Sequence, residues 1–170
     1  MNLTVNHEWF AVEATLPSTK KTLRVGCLHP LCNNGLIPFL ETLIDETKAD
    51  IEWFVVEPAL AKKAHYIIPD HQHFALWLAE QHLDIAIYPL CEETNPSNFS
   101  ELVPILQYSA LGIPVICTVL EKHHHLNLPV IALPNRQEEW VSVLRSALEH
   151  PDEFKNVGQH AKIFVKENFV

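Results

Sequence analysis

Short runs of consecutive apolar residues alternate along the chain with longer segments in which apolar residues recur every three or four positions. The short runs are typical of buried strands, and the longer segments are typical of helices that pack on one face. We predict strands at 22–28, 50–58, 64–69, 83–90, 113–120 and 128–134, and helices at 36–49, 73–82, 101–111, 136–150 and 151–169. Strands that alternate with helices and lack a polar face indicate a parallel sheet covered on both sides.

Six such strands with right-handed crossovers predict an α/β fold with a doubly wound, Rossmann-like parallel sheet in the order 3-2-1-4-5-6 and helices on both faces. Residues 1–21 have no clear period, so we predict a lead-in or linker segment there and a single domain over 22–170. Ligands of such sheets bind outside the carboxyl ends of the strands, near the point where the strand order reverses. The loops expected there are 29–35, 57–63, 89–101 and 121–127.

Composition and charge narrow the classes of partner. The chain has 21 acidic and 12 basic residues and a formal net charge of -9, which argues against nucleic acid or an anionic membrane surface as a partner. We see no transmembrane segment and no signal peptide, and we expect a cytoplasmic protein. Cys27 and Cys117 lie inside apolar runs, so we expect buried free thiols in a reducing compartment.

The sequence contains no glycine-rich phosphate-binding loop. It has four glycines, and neither the dinucleotide fingerprint nor the Walker A pattern occurs. Asn33, Asn34 and Gly35 precede the first long helix, whose backbone N–H groups could hold an anion. An ordinary Asn-Gly turn that caps the helix is the alternative.

Histidine is abundant, with eleven residues that include clusters at 71–73 and 123–125. Neighbouring histidines on a loop do not specify the converging geometry of a metal site, so we predict solvent-exposed histidines and no metal. His29 follows the first strand, where it could contact a phosphate, act as a base or be purely structural. The glutamate pair at 92–93 could bind sugar hydroxyls or belong to a solvated loop.

Three stretches from residue 78 onward form a series, followed by two closing helices. They are LAEQHLDIAIYPL at 78–90, NPSN at 95–98 and LQYSALGIPVI at 106–116. This series resembles the donor-binding, C-terminal half of the GT-B glycosyltransferases of family four, and the resemblance covers nearly the whole chain. It implies a nucleotide-sugar-binding domain, either one half of a GT-B enzyme or a degenerate stand-alone relative. Any glycosyl transfer would need no metal and no cofactor, with the nucleotide sugar as substrate.

Three departures from the family pattern bear on activity. The family carries two glutamates eight positions apart, of which the second binds the nucleotide ribose, and Phe99 and Gln107 stand at these positions. Gln107 can still hydrogen-bond a diol, but as a neutral group. Val103 and Pro104 occupy the part of the helix where a lysine often meets the diphosphate, and segment 121–135 replaces a glycine-rich loop. We therefore expect that this chain alone does not catalyse transfer.

The donor-binding residues that the resemblance implies are His29, Asn33, Asn34, Gly35, Glu57, Asn95, Asn98, Ser100, Glu101 and Gln107. Gln107 would hold the ribose, and segment 29–35 would lie near the diphosphate. Catalysis would require an N-terminal acceptor-binding domain or a partner protein. The alternative function is a non-catalytic, Rossmann-like module for interaction or assembly, and a flavodoxin-like binder of another nucleotide is supported only by fold analogy.

Overall fold

The computed structural model describes residues 4–12, 22–91, 99–119 and 121–170, without the side chains of Phe99 and Lys122. These residues form one six-stranded sheet in the order β3-β2-β1-β4-β5-β6, in which every neighbouring pair is parallel. The predicted fold class and strand order are confirmed. The strands are β1 (Leu23–Cys27), β2 (Ile51–Val55), β3 (His65–Tyr66), β4 (Ile85–Tyr88), β5 (Val115–Thr118) and β6 (Ile131–Leu133). The α-helices are α1 (Glu8–Ala11), α2 (Ile37–Thr47), α3 (Phe74–Glu80), α4 (Leu102–Ala110), α5 (Gln137–Glu149) and α6 (Pro151–Asn168).

Two elements differ from the sequence prediction. Strand β3 has two residues, because β2, its one neighbour among the described strands, ends at Val55, whose carbonyl accepts the last bond of the pair from Ile67. Helix α1 was not predicted, because a single turn is too short to show a helical period. Its Trp9 is buried and meets the edge of Phe74 on α3, with the ring centroids 5.9 Å apart. Part of the predicted lead-in therefore packs on the domain.

A separate apolar cluster covers each face of the sheet. Helices α1, α3 and α4 pack on one face, and α2 and α5 pack on the other. Alternate residues of β4 serve the two clusters, with Ala86 and Tyr88 in the first and Ile85 and Ile87 in the second. This double burial explains why the strands have no polar face in the sequence.

Helix α4 ends in a Schellman motif that also determines how α6 packs. Gly112 has φ +76°, its N–H donates to the Ser109 carbonyl at 2.9 Å, and the N–H of Ile113 donates to the Tyr108 carbonyl at 3.1 Å. Helix α6 crosses this turn at Gly158, where an added Cβ would lie 2.1 Å from the carbonyl oxygen of Gly112. Only glycine at position 158 permits this crossing.

Candidate functional site

The point where the strand order reverses brings together two residues that are far apart in the sequence. Strands β1 and β4 are neighbours in the sheet, His29 follows β1, and α4 returns from the loop after β4. The Nε2 atom of His29 lies 2.8 Å from the Oε1 atom of Gln107. Two of the residues that the resemblance implied are thus in direct contact at the carboxyl edge of the sheet.

His29 lies in an aromatic enclosure. The edges and faces of Phe74, Tyr88 and Tyr108 surround its ring at centroid distances of 5.2, 6.2 and 4.6 Å, and only 7% of the residue is exposed. Burial lowers the pKa of His29 to about 4, although its hydrogen bond with Gln107 acts in the opposite direction. The imidazole is therefore neutral at neutral pH, which makes it poorly suited to bind a phosphate as a cation.

Tyr108 joins the same enclosure to the backbone of the sheet. Its hydroxyl oxygen accepts a hydrogen bond from the N–H of Leu28, at 2.8 Å, just before His29. Burial raises the pKa of the Tyr108 hydroxyl well above its usual value. This bond fixes α4 against the end of β1, and so fixes the distance between His29 and Gln107.

A cleft of about 400 Å³ opens beside Gln107, between α1, α3 and α4. This volume is within the range of small-molecule sites. Its walls consist of Glu8, Trp9, Val12, His71, Gln72, His73, Phe74, Ala75, Leu76 and Gln107. Phe74 lies nearly parallel to Trp77 and to His71, at centroid distances of 5.4 and 6.4 Å. The cleft thus offers aromatic surfaces next to an amide, which suits a planar ring with polar edges.

This wall of the cleft was not predicted from the sequence to belong to the site. The histidines at 71–73 were predicted to be solvent-exposed, and His71 and His73 are exposed. They nevertheless line the cleft, because the segment after β3 ends at the same edge of the sheet as His29. The available signal was their place after a predicted parallel strand, rather than their number.

The loop after β1 is held by its own side chains. The Oδ1 atom of Asn33 accepts a hydrogen bond from the N–H of Gly35 at 2.7 Å, and the carbonyl of Asn33 accepts from the N–H of Leu36 at 3.1 Å. These bonds favour the Asn-Gly turn, because the N–H of Gly35 already has an acceptor. Asn34 begins the short 3₁₀ helix that leads into α2 and is exposed.

Glu57 ties this loop to the end of β2. Its Oε1 atom accepts a hydrogen bond from the N–H of Leu31 at 3.1 Å. Burial, and secondly the charge of Glu57, raise the pKa of the Cys27 thiol to about 12, and burial raises that of Cys117 to about 12. The prediction that these two cysteines are buried free thiols is confirmed.

The residues before α4 reach a second histidine. Ser100 is exposed and Glu101 is buried, and the Oε2 atom of Glu101 lies 3.8 Å from the Nε2 atom of His123, which is also buried. The prediction that the histidines at 123–125 are all solvent-exposed is wrong for His123. Residues Glu121–Leu126 form a 3₁₀ helix, and with three residues per turn one of three consecutive side chains faces inward.

A ring of hydrogen bonds connects the carboxyl ends of β4, β5 and β6. The N–H of Leu90 donates to the hydroxyl oxygen of Thr118 at 2.7 Å, and that hydroxyl donates to Oδ1 of Asn135 at 2.7 Å. The amide of Asn135 then donates to the carbonyl of Leu90 at 2.8 Å. The ring fixes where the loop after β4 begins. The ring itself was not predicted from the sequence.

Part of the implied site lies outside the residues that the structure describes. Asn95 and Asn98 belong to this part, and the glutamate pair at 92–93, a separate candidate, lies outside the described residues too. Among the residues described, no group of three or more His, Cys, Asp or Glu side chains is placed to hold a metal ion. Within the same residues, no helix combines the length and the apolar character that crossing a membrane requires.

Comparison with known proteins identifies the fold. No family model and no curated protein sequence matches the chain. Among solved structures, the C-terminal domain of the group 1 glycosyltransferase LpcC from Francisella tularensis is 16% identical, with a TM-score of 0.63 over 93% of this chain and 98% of that domain. The HepE protein of Anabaena, solved with UDP and glucose, is 10% identical, with a TM-score of 0.63 over 88% of this chain and 45% of that one.

A third neighbour is sucrose-phosphate synthase from Thermosynechococcus elongatus, which is 12% identical, with a TM-score of 0.64 over 89% of this chain and 42% of that enzyme. The chain therefore spans less than half the length of HepE and of the synthase, and nearly the whole of the LpcC domain. At these identities the likeness concerns the fold. The chain has the fold of the C-terminal domain of a GT-B glycosyltransferase.

Proposed function

We propose that this chain binds the donor of a glycosyl transfer, a nucleotide sugar, at the carboxyl edge of its sheet. The observation that carries the proposal is the contact between His29 and Gln107 beside an aromatic cleft, at the point where the strand order reverses. Ligands of doubly wound sheets bind at this point. The fold shared with HepE, which was solved with UDP and glucose, supports a nucleotide as the ligand.

The contacts suggest how the parts of the donor would be distributed. The base would stack in the cleft against Phe74 or His71, and the ribose would meet Gln107. From the resemblance alone, the diphosphate would lie near the loop at 29–35 and the sugar near Ser100. No step of this arrangement uses a metal ion, because the leaving diphosphate would be stabilised by backbone amides and polar side chains.

Glycosyl transfer would require more than this chain. A GT-B enzyme works in the cleft between two domains, and the chain spans 45% of HepE and 42% of sucrose-phosphate synthase. We propose that an N-terminal acceptor-binding domain or a partner protein supplies the other half. The isolated chain would then bind a nucleotide sugar without transferring the sugar.

Thermal unfolding in the presence of UDP, GDP, ADP and their sugars tests the binding. A ligand at one hundred times its dissociation constant adds about 2.7 kcal/mol to the free energy of unfolding. We expect at least one nucleotide to stabilise the wild-type chain, and Gln107→Leu to reduce this stabilisation. Gln159→Leu is the control, because Gln159 is exposed beside the Gly112 turn, at the opposite edge of the sheet.

An absence of stabilisation by every nucleotide would contradict the donor-binding proposal and would favour the alternative of a non-catalytic assembly module. Equal losses in the two glutamine variants would contradict the proposed location of the site while leaving nucleotide binding itself intact.

A further inference from the structure

The hydrogen bond between His29 and Gln107 determines which atoms of the Gln107 amide are available to a ligand. We infer that His29 is a positioning residue that directs the amide of Gln107, so that Gln107 offers the ligand N–H donors rather than an acceptor oxygen. The inference rests on the proposed nucleotide site and concerns which nucleotides that site accepts.

The neutral ring of His29 carries a single proton, on either Nδ1 or Nε2. Its Nε2 atom faces Gln107, and its Nδ1 atom is buried and makes no hydrogen bond to the described residues. A proton on Nδ1 would therefore be a buried N–H without an acceptor, which is rarer in proteins than a buried acceptor without a donor. The proton accordingly lies on Nε2, and Nε2 donates to Oε1 of Gln107.

The hydrogen bond with His29 leaves the nitrogen of the Gln107 amide available to a ligand. Its Oε1 atom accepts from His29, and its Nε2 atom makes no hydrogen bond within the part of the chain that the structure describes. The two atoms lie on opposite sides of the amide group. Gln107 lines the cleft and His29 does not, so the side of the amide that is turned away from His29 faces the ligand.

A donor at position 107 determines which type of ligand atom fits beside it. A carboxylate at position 107 would accept hydrogen bonds from ribose hydroxyls, whereas the N–H₂ group of Gln107 donates to them. The ligand atom beside Gln107 therefore needs a lone pair and does not need a proton. The substrate class is a nucleoside diphosphate derivative that is recognised at the sugar through an acceptor. Glu8 is the one carboxylate among the described residues that line the cleft, and it lies on the exposed side of α1.

Fluorinated nucleotides separate the two polarities, because fluorine at a ribose carbon has no proton and accepts hydrogen bonds only weakly. A donor at position 107 therefore loses at most one neutral hydrogen bond, whereas a carboxylate loses a charge-assisted one. The test compares the dissociation constants of UDP, GDP and ADP with those of analogues in which fluorine replaces the 2′- or the 3′-hydroxyl. For the wild-type chain we expect the fluorinated and natural forms of the bound nucleotide to differ by no more than about fivefold, the size of a neutral hydrogen bond. For Gln107→Glu we expect fluorination to weaken binding by at least about tenfold, because a charged acceptor loses its donor.

The variant His29→Phe tests the positioning role itself. Phenylalanine keeps an aromatic ring among Phe74, Tyr88 and Tyr108, but it cannot donate to Oε1 of Gln107. The amide can then turn its oxygen to the ligand, so the fluorination ratio is expected to rise above that of the wild type. Gln159→Leu, at the opposite edge of the sheet, is the control, and its ratio should equal the wild-type ratio.

Each contrary outcome has a separate meaning. A wild-type ratio of tenfold or more, or equal ratios in the wild type and His29→Phe, would overturn the inference and leave nucleotide binding intact. The inference is also overturned if the Gln107→Glu chain folds and binds the nucleotide but loses no more affinity on fluorination than the wild type does. Failure of all three natural nucleotides to bind would overturn the proposed function and this inference with it.

Discussion

The Nε2 atom of His29 and the Oε1 atom of Gln107 are 2.8 Å apart, although 78 positions separate the two residues in the chain. Their hydrogen bond joins the loop after β1 to the middle of α4. It therefore crosses the point where the strand order reverses. His29 is neutral in this pair because its burial among three aromatic rings lowers its pKa to about 4, while the hydrogen bond with Gln107 acts in the opposite direction.

The burial of His29 predicts a specific loss of stability in acid. The pKa of its ring is 6.5 in the unfolded chain and about 4 in the folded chain, so the unfolded chain takes up the proton first as the pH falls. The stabilisation by a neutral His29 is fully present above pH 6.5, declines between pH 6.5 and about 4, and is lost below. It amounts to on the order of 3 kcal/mol.

The variant His29→Phe isolates this contribution, because all other titrating groups remain. Urea unfolding at several pH values between 7 and 4 measures the free energy of unfolding of both chains. We expect the wild type to lose more stability than the variant, by on the order of 3 kcal/mol over this range. Parallel pH profiles of the two chains would show that His29 is not buried as described.

The crossing of α6 over the Gly112 turn predicts that Gly158→Ala destabilises the fold. In an unobstructed helix, alanine is more favourable than glycine by about 1 kcal/mol. At position 158 the new methyl group meets the carbonyl oxygen of Gly112, a backbone atom that cannot turn away. We expect a loss of about 1–3 kcal/mol, as in other overpacked cores.

The measurement for this prediction is the urea midpoint at an unchanged slope. Asn156→Ala, at an exposed position of the same helix, should change the free energy of unfolding by less than about 0.5 kcal/mol. A Gly158→Ala chain more stable than the wild type would contradict the close crossing.

The hydrogen-bond ring at the ends of β4, β5 and β6 predicts a cost for Thr118→Val. Valine has nearly the shape of threonine but neither accepts from Leu90 nor donates to Asn135. The buried N–H of Leu90 is left without its acceptor, and we expect a loss of about 1–3 kcal/mol. Differential scanning calorimetry gives the change in the free energy of unfolding.

Thr42→Val is the matched control for this variant. The hydroxyl of Thr42 is exposed and donates to the Pro38 carbonyl within α2, so its removal should have little effect. Equal effects of the two substitutions would mean that the ring at the sheet edge contributes nothing beyond an ordinary surface hydroxyl.

Much of the fold could be predicted because each element carries its signal locally. The continuous apolar runs of β1, β4 and β5 reflect burial on both faces, and Gly112 marks the end of α4 through its positive φ. The boundaries were less predictable. Strand β3 ends where its neighbour ends, and this limit depends on the partner strand rather than on residues 64–69 themselves.

The candidate site could be predicted only in part. Gln107 and His29 each stood out by position, but their contact depends on how α4 and β1 pack. His123 was placed at the surface with its neighbours, because only the direction of the 3₁₀ helix distinguishes the one that faces Glu101. The Thr118 ring and the cleft beside Phe74 consist of residues from separate loops, so no local sequence pattern predicts them.

A titration of the ¹⁵N-labelled chain followed by NMR shows whether a nucleotide occupies the cleft beside Gln107. The ligand is the nucleoside diphosphate that stabilises the chain most in thermal unfolding. We predict that the side-chain amide signal of Gln107 and the indole N–H signal of Trp9 shift on saturation, while the backbone amide of Gly112 at the opposite edge does not. Unchanged Gln107 and Trp9 signals at saturating nucleotide, or shifts confined to the edge around Gly112, would contradict binding in the cleft beside Gln107.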